Sequence, residues 1–269
     1  MGRDMGTNPW ASGLVAGLVS VTFRRLSPDE IIGLVSRAGL RAIEWGGDVH
    51  VSPGDMTTAR RVYGMMCDSG LATAAYGSYY RVGQSEQAGL PFERVLDTAL
   101  ALGAPTIRVW AGTKGSAQAN AADYEMVVRE SRRVGDMARS AKVTVSYEYH
   151  GGTLTDTNAS ARTLVATVNH PNVRAYWQPP NGGDVEYCLE GLAGILPWLT
   201  NVHVFHWWPT AKDRRGLHEG QDRWIRYLRL VARDGRTHGV LLEFVRDDDP
   251  QAFLTRQSRN QKRCILGHC

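Results

Sequence analysis

The chain has 269 residues, of which 43% are apolar and 22% charged, and its formal net charge is +4. Ordinary glycine and proline contents exclude collagen-like, low-complexity and disordered classes. The basic residues are scattered rather than gathered into a dense patch, which argues against a nucleic-acid partner. No apolar stretch approaches the roughly 18 residues of a membrane span. We therefore expect a soluble, cytoplasmic protein without a membrane partner.

Strand-like runs rich in β-branched and aromatic residues alternate with segments that begin with helix-start residues, a pattern typical of βα units. In the first unit, a strand over 17–23 is followed by Ser27, Pro28 and Glu30, which predict a capped helix start, and by Gly39, which predicts its end. The other predicted strands are 41–45, 73–77, 106–110, 143–148, 173–178, 200–206 and 240–244. Helices are predicted over 55–69, 91–102, 121–141, 158–168 and 220–233, another is capped by Asp184, and a last one opens at Asp249 and Pro250.

Eight βα units in about 250 residues predict a single (β/α)₈ TIM barrel. We expect one domain over 1–269, with the barrel proper at about 15–250 and an atypical tail at 251–269. The structural alternative is an open doubly wound sheet. No Gly-x-Gly-x-x-Gly follows an early strand to support a dinucleotide-binding version of that sheet.

Polar residues end several of the predicted strands, and in a barrel these ends meet at the active-site face. Glu148 ends the fifth strand, Gln178 the sixth and Glu243 the eighth, while the seventh carries His203 and His206. Two carboxylates, an imidazole and an amide oxygen form a ligand set that suits Mn²⁺, Mg²⁺, Co²⁺ or Zn²⁺. Each residue taken alone has an equally ordinary structural interpretation, such as pairing with an arginine or filling the core. Further polar residues at these ends are Glu44, Asp48, His50 and His150.

Five tryptophans also fall at predicted strand ends. They are Trp45, Trp110, Trp177, Trp207 and Trp208. Indole rings form apolar walls with a polar N–H, and with carboxylates nearby they favour a polyhydroxylated ligand such as a sugar. The alternative is that these rings only close the top of the barrel.

Five segments resemble the xylose-isomerase-like barrel family of sugar phosphate isomerases and epimerases. They are 42–50, 147–157, 201–206, 217–220 and 241–244, and the resemblance spans about residues 15 to 250. It implies that Glu148, Glu243 and His203 are metal ligands, with His206 as an alternative to His203. Where the family usually has Asp on strand six this chain has Gln178, and a nearby His of the family is here Asn181. The missing charge weakens the expectation of a metal, for which Mn²⁺ is the first candidate.

The resemblance also implies a mechanism. A divalent ion chelates the carbonyl and adjacent hydroxyl of a small carbohydrate, which acidifies the neighbouring C–H and stabilises an enediolate. One of Glu148 and Glu243 removes the proton and the other returns one. The expected substrate-binding residues are Trp45, His50, Arg108, Trp110, His150, His206 and Arg214, with Arg81 and Lys114 as further anchors; any of these cations can equally be a solvated loop residue.

The resulting prediction is a metal-dependent sugar isomerase or epimerase. A β-eliminating lyase or dehydratase is the main alternative, because its first proton abstraction needs the same residues. A non-catalytic sugar-binding barrel is the second, with Gln178 as the trace of a lost metal site. An abasic-site endonuclease would need extra His ligands at the third and fourth strand ends, which read Tyr76 to Tyr79 and Arg108 to Trp110. A homo-oligomer is compatible with the sequence.

Overall fold

Eight parallel strands close into one barrel in a computed structural model that describes residues 13–254. Each strand pairs with its sequence neighbours, and β8 closes the barrel against β1. The fold is therefore a single (β/α)₈ TIM barrel. The strands are β1 Leu14–Val19, β2 Ala42–Gly46, β3 Ala72–Val82, β4 Thr106–Ala111, β5 Thr144–Tyr147, β6 Val173–Trp177, β7 Leu199–Val204 and β8 His238–Leu242.

Helices follow the strands and cover the outside of the barrel. Their starts show the expected cap chemistry: the Ser27 side chain accepts from the Glu30 amide in a complete capping box, and Asp184 caps its helix through Tyr187 N. Between residues 13 and 254, no helix combines the length and apolarity needed to cross a membrane. The helices are α1 Pro28–Ala38, α2 Met56–Asp68, α3 Phe92–Ala101, α4 Ala121–Ser140, α5 Asn158–Val168, α6 Val185–Ile195, α7 Gln221–Ala232 and α8 Pro250–Ala252.

The first strand differs from its prediction. β1 ends at Val19, and residues 20–23 form one 3₁₀ turn instead of extending the strand. This turn is entirely buried, and its Val21, Thr22 and Phe23 side chains are of the types common in strands, although its backbone is helical. Two hydroxyls hold it: Ser20 Oγ accepts from Gly46 N at 2.8 Å and Thr22 Oγ1 accepts from Phe244 N at 3.0 Å.

The third strand is longer than predicted, and its pairing with β4 shifts register between Gly77 and Tyr80. Tyr79, inside this irregularity, has φ 58°. A left-handed backbone is unfavourable for a bulky residue, and such strain is often concentrated at functional sites. The other six strands agree with prediction to within two residues at each end. The predicted tail lies largely outside the described residues.

Candidate active site

A cavity of about 480 Å³ opens at the carboxyl ends of the strands, the face that carries the active site in TIM-barrel enzymes. Side chains from β3 to β8 and the segments that follow them line it. They include Tyr79, Arg108, Trp110, Glu148, His150, Gln178, Trp207, Glu243 and Phe244.

Four side chains predicted as metal ligands come together at one side of this cavity. One ligand atom each from Glu148, His203 and Glu243 can be chosen so that all lie within 4.8 Å of one another. His203 Nδ1 is 3.7 Å from Glu148 Oε1 and 3.5 Å from Glu243 Oε2. Two carboxylates and an imidazole at this spacing suit a divalent cation. We call Glu148, His203 and Glu243 the ligand cluster.

Gln178 borders the ligand cluster through its amide oxygen. Its Oε1 is 3.1 Å from His203 Nδ1, and its Nε2 donates to the Tyr149 carbonyl at 2.6 Å. That second bond holds the amide with its oxygen toward the cluster. Gln178 can therefore offer an oxygen ligand, although without the negative charge of an aspartate.

A network of buried charged side chains, Glu44, Arg108 and Glu148, lies beneath the ligand cluster, and we call it the buried charge network. Arg108 Nε donates to Glu44 Oε1 at 2.6 Å, and its Nη1 donates to Glu148 Oε2. None of the three side chains is more than 4% exposed. Water therefore screens these ion pairs little, and their mutual attraction is strong.

Trp110 and His203 also contact the buried charge network. Trp110 Nε1 donates to Glu148 Oε2 at 2.5 Å, so that oxygen accepts from two N–H groups. His203 Nε2 lies 3.1 Å from Glu44 Oε2. Glu44 and Glu148 thus each contact both Arg108 and His203, and Glu148 keeps its Oε1 on the cluster side.

The pKa values of these groups follow from burial and charge. Burial is the largest single effect and would raise the pKa of Glu44 and of Glu148, but the attraction of Arg108 and the charge and hydrogen bonding of His203 together outweigh it and hold both pKa values below their ordinary range. Burial would lower the pKa of His203, whereas Glu243 and Glu44 raise it well above the usual value. The network therefore favours ionised carboxylates and, without a bound cation, a protonated His203.

Aromatic rings form two walls of the cavity. On β4, Trp110 has the His150 ring 4.5 Å away and the Arg81 guanidinium 4.1 Å away, both measured to an indole ring centroid. After β7 and β8, Trp207 packs on Phe205 at 4.4 Å and on Phe244 at 5.5 Å. Phe244, like Tyr79, has a left-handed backbone, with φ 51°. These rings give the cavity apolar surface beside its charged floor.

Four residues predicted to bind substrate, Trp45, His50, His206 and Arg214, do not line this cavity. Trp45 is fully buried in the core, and His50 packs on it while bonding Ser20 Oγ at 2.9 Å and the Leu26 carbonyl at 3.2 Å. His206 sits against Gly220 and lines a separate, smaller pocket. His203, not His206, faces the carboxylates. Strand-end position in the sequence does not reveal which way a side chain turns.

The predicted cationic anchors Arg108, Arg214 and Lys114 are also engaged within the protein. Arg108 borders the cavity, but its guanidinium is held between Glu44 and Glu148. Arg214 lies over the Phe244 ring at 4.4 Å and pairs with Asp248 at 3.2 Å. Lys114 pairs with Asp123 at 2.8 Å. Trp110 and His150 do line the cavity, as expected.

Tyr79, Phe205 and Phe244 were missed by sequence reasoning. Tyr79 lies in the irregular part of β3, where alternation gives no guide to side-chain direction. Phe205 and Phe244 lie in apolar strand ends that read as core. Glu44 was recognised at a strand end, but its partners come from strands far along the chain.

Replacing Arg108 with leucine tests how far the buried charge network stabilises the fold. Arg108→Leu leaves Glu44 and Glu148 without their cation, and we expect the free energy of unfolding at pH 7 to fall by about 3–5 kcal/mol. In the wild type, Glu44 and Glu148 have lower pKa values in the folded state than the value of about 4.3 in the unfolded state, so both stabilise the fold above that pH. Their contribution is lost as the pH falls through their folded-state pKa values. In Arg108→Leu the pKa values of Glu44 and Glu148 rise, so both carboxyls become neutral at a higher pH than in the wild type. The difference in unfolding free energy between the two proteins should therefore narrow as the pH falls.

Urea denaturation of both proteins between pH 7 and pH 4 measures this difference. Arg81→Leu is the matched control, because Arg81 contacts the face of Trp110 and carries a cation–π contact of about 0.5–2 kcal/mol. Equal losses in the two variants, or a gap that does not change with pH, would contradict the assignment.

Comparison with known proteins places this geometry in a family. A curated relative, 3-dehydroshikimate dehydratase of Bacillus anthracis, is 24% identical over 199 residues, 69% of each chain. A crystal structure of the probable 3-DHS dehydratase from Bacillus anthracis superposes with a TM-score of 0.74 at 19% identity, covering 93% of this chain and 98% of that one. The 3-keto-D-glucoside 4-epimerase of E. coli gives 0.69 at 15% identity, over 93% and 99%.

At such identities the structural similarity shows the fold alone. The family itself is shown by a match to the family model over residues 32–261. On that match, and with a closed eight-stranded barrel whose strand ends carry the ligand cluster, the chain belongs to the xylose isomerase-like TIM barrel family.

Proposed function

We propose that this protein is a metal-dependent isomerase or epimerase that acts on a small sugar or related polyhydroxy carbonyl compound by removing the proton next to the carbonyl. The observation that carries the proposal is the ligand cluster at the floor of an aromatic-walled cavity. Relatives with similar folds include an epimerase of a keto-sugar derivative and a dehydratase.

Glu148, His203 and Glu243 would hold the cation, with Gln178 Oε1 beside them. Their N and O donors suit Mn²⁺ first, and Mg²⁺, Co²⁺ or Zn²⁺ as alternatives. When bound, such a cation acts as a Lewis acid that polarises a carbonyl and stabilises negative charge on its oxygen. The cluster adds two carboxylates, enough to balance a divalent charge.

Glu243 is the better placed of the two carboxylates to take the proton. Glu148 Oε2 already accepts from Arg108 and Trp110, and its low pKa makes it a weak base. Glu243 lines the cavity, and its Oε2 lies 3.5 Å from His203 Nδ1. Glu243 therefore serves as general base, while Glu148 holds its Oε1 in the cluster. Glu243 would return the proton to the neighbouring carbon to give the isomer, whereas the epimer requires a second group, in this site Glu148, to deliver a proton to the other face of the same carbon.

The cavity walls determine what can reach these carboxylates. The rings of Trp110 and His150 on one side, and of Trp207 and Phe244 on another, offer apolar faces for the C–H surfaces of a sugar. By limiting water around the reacting carbon they also protect a carbanion-like intermediate from premature protonation.

A β-eliminating lyase is the second candidate, and a specific finding favours it: the curated relative is a dehydratase. Its first step is the same proton abstraction by Glu243. The two reactions separate afterwards, when a β-substituent leaves instead of a proton returning. Product analysis distinguishes them, because only the lyase releases water or an aglycone.

Solvent deuterium exchange tests the proposed chemistry. With MnCl₂-loaded protein in deuterated water, NMR of a panel of ketoses, inososes and 3-keto sugars should show deuterium on the carbon next to the carbonyl of the substrate. Glu243→Gln should lower turnover by about 10²- to 10⁴-fold, because it removes a positioned base. Glu148→Gln should also lower turnover, mainly by weakening cation binding.

Glu190→Gln, on the exposed side of α6, is the matched control and should leave the rate unchanged. Near-wild-type turnover in Glu243→Gln, or full activity after exhaustive chelation, would contradict the proposed mechanism.

Charge at position 178 should tune cation affinity. Gln178→Asp adds a negative charge beside His203 Nδ1, and we expect Mn²⁺ to bind about tenfold more tightly, a gain of about 1.4 kcal/mol. Isothermal titration with MnCl₂ measures the change. Asn181→Asp is the control, since it adds the same charge at the cavity lining but away from the cluster. An affinity that rises equally in both variants, or in neither, would show that Gln178 is not a ligand.

A further inference from the structure

Glu44 is a buried carboxylate on β2 that lies outside the ligand cluster. We infer that Glu44 is a positioning residue: it fixes the His203 ring so that Nδ1 serves as the ligand atom, and through Arg108 it fixes the orientation of Glu148. The inference rests on the proposed function, because ligand atoms need orienting only if a cation binds there.

The two nitrogens of His203 face different partners. Nε2 lies 3.1 Å from Glu44 Oε2, whereas Nδ1 faces Gln178 Oε1 at 3.1 Å and Glu243 Oε2 at 3.5 Å. A carboxylate that accepts the Nε2 proton keeps the neutral ring in the tautomer with its lone pair on Nδ1. Glu44 therefore selects the nitrogen that can bind a cation.

The His203 ring is also fixed by packing. The Tyr176 ring meets it edge to face, with centroids 5.1 Å apart, and the Tyr176 hydroxyl is held by Asn201 Nδ2 at 2.6 Å. Glu44 and His203 are both 0% exposed, so no solvent competes for their hydrogen bond. Since Glu44 contacts the far side of the ring, it cannot ligate the same cation.

Arg108 transmits the position of Glu44 to a second ligand. Glu44 Oε1 accepts from Arg108 Nε at 2.6 Å, and the same guanidinium donates from Nη1 to Glu148 Oε2. Occupying Oε2 turns Glu148 Oε1 toward His203 Nδ1. One carboxylate on β2 thus orients ligands that follow β5 and lie on β7.

Gly77 on β3 makes room for the Glu44 and Arg108 pair. A Cβ at position 77 would lie 2.6 Å from Arg108 Nη2 and 2.8 Å from Glu44 Oε1. Both contacts are too short to exist, so an alanine there must push the two side chains from their places. Position 77 therefore offers a way to disturb the pair without changing any charge.

Cation affinity in a Glu44 variant tests the inference. Glu44→Gln keeps the shape but gives one oxygen acceptor where two donors, Arg108 and His203, must be met. We expect its affinity for Mn²⁺, titrated as MnCl₂, to fall by about 10- to 100-fold, as is typical when a group that supports a metal-bound His is changed. Asp48→Asn is the control, because Asp48 lies just after β2 and its replacement makes the same change of charge, but it pairs with the half-exposed Arg24 at 2.5 Å.

Two further measurements keep the test independent of how well one variant folds. Gly77→Ala should lower Mn²⁺ affinity in the same way, whereas Gly64→Ala, which meets nothing within 4 Å, should not. In wild-type protein loaded with Zn²⁺, ¹⁵N NMR of His203 should show a protonated Nε2 and a metal-bound Nδ1. If Glu44 only stabilised the fold, it would not determine which nitrogen of His203 is protonated and which one binds the metal.

The outcomes separate this inference from the proposed function. If the wild type binds Mn²⁺ and Glu44→Gln binds it equally well, or if the cation sits on Nε2, the positioning role is wrong while the proposed function stands. If the wild type binds no cation, both fall. Loss of affinity in Glu44→Gln and Gly77→Ala, with both controls unchanged, supports the inference.

Discussion

The burial of Arg108 between Glu44 and Glu148 is the interaction on which the site depends. Three carboxylates and an imidazole converge at the carboxyl end of this barrel, and uncompensated charges there would cost several kcal/mol each. Arg108 offsets that cost while holding Glu148 ionised and leaving one of its oxygens toward the ligand cluster. The remaining negative charge, on Glu148 and Glu243, is therefore available to a divalent cation.

The closed barrel makes this arrangement feasible because it brings strands that are distant in sequence to one axis. Glu44 and His203 are 159 residues apart in the chain, yet their side chains meet in the interior. Gly77 leaves the space that the guanidinium fills, and Trp110 completes the hydrogen bonds of Glu148. A charged floor and aromatic walls thus come from different strands of one rigid scaffold, which suits proton abstraction from a polyhydroxy carbonyl compound.

The sequence predicted the barrel and the ligand cluster because both depend on local signals. The βα alternation gave the strand order, and placing Glu148, Gln178, His203 and Glu243 at strand ends required only that parallel strands share an active-site face. Direction and pairing were less predictable. A buried 3₁₀ turn imitated the end of β1, and Trp45 and His50 face the core rather than the cavity. The role of Arg108 as a buried counter-ion depends on contacts between remote strands, which a single sequence does not encode locally.

We propose that one cation binds at the ligand cluster and that the buried charge network orients the side chains that hold it. Anomalous diffraction from crystals grown with MnCl₂ tests it most directly. We predict a single strong peak in the cavity, bonded to His203 Nδ1 and to oxygens of Glu148 and Glu243, with Glu44 at Nε2. A cavity without a peak, or manganese held instead by His50, His150 or His206, would contradict this account.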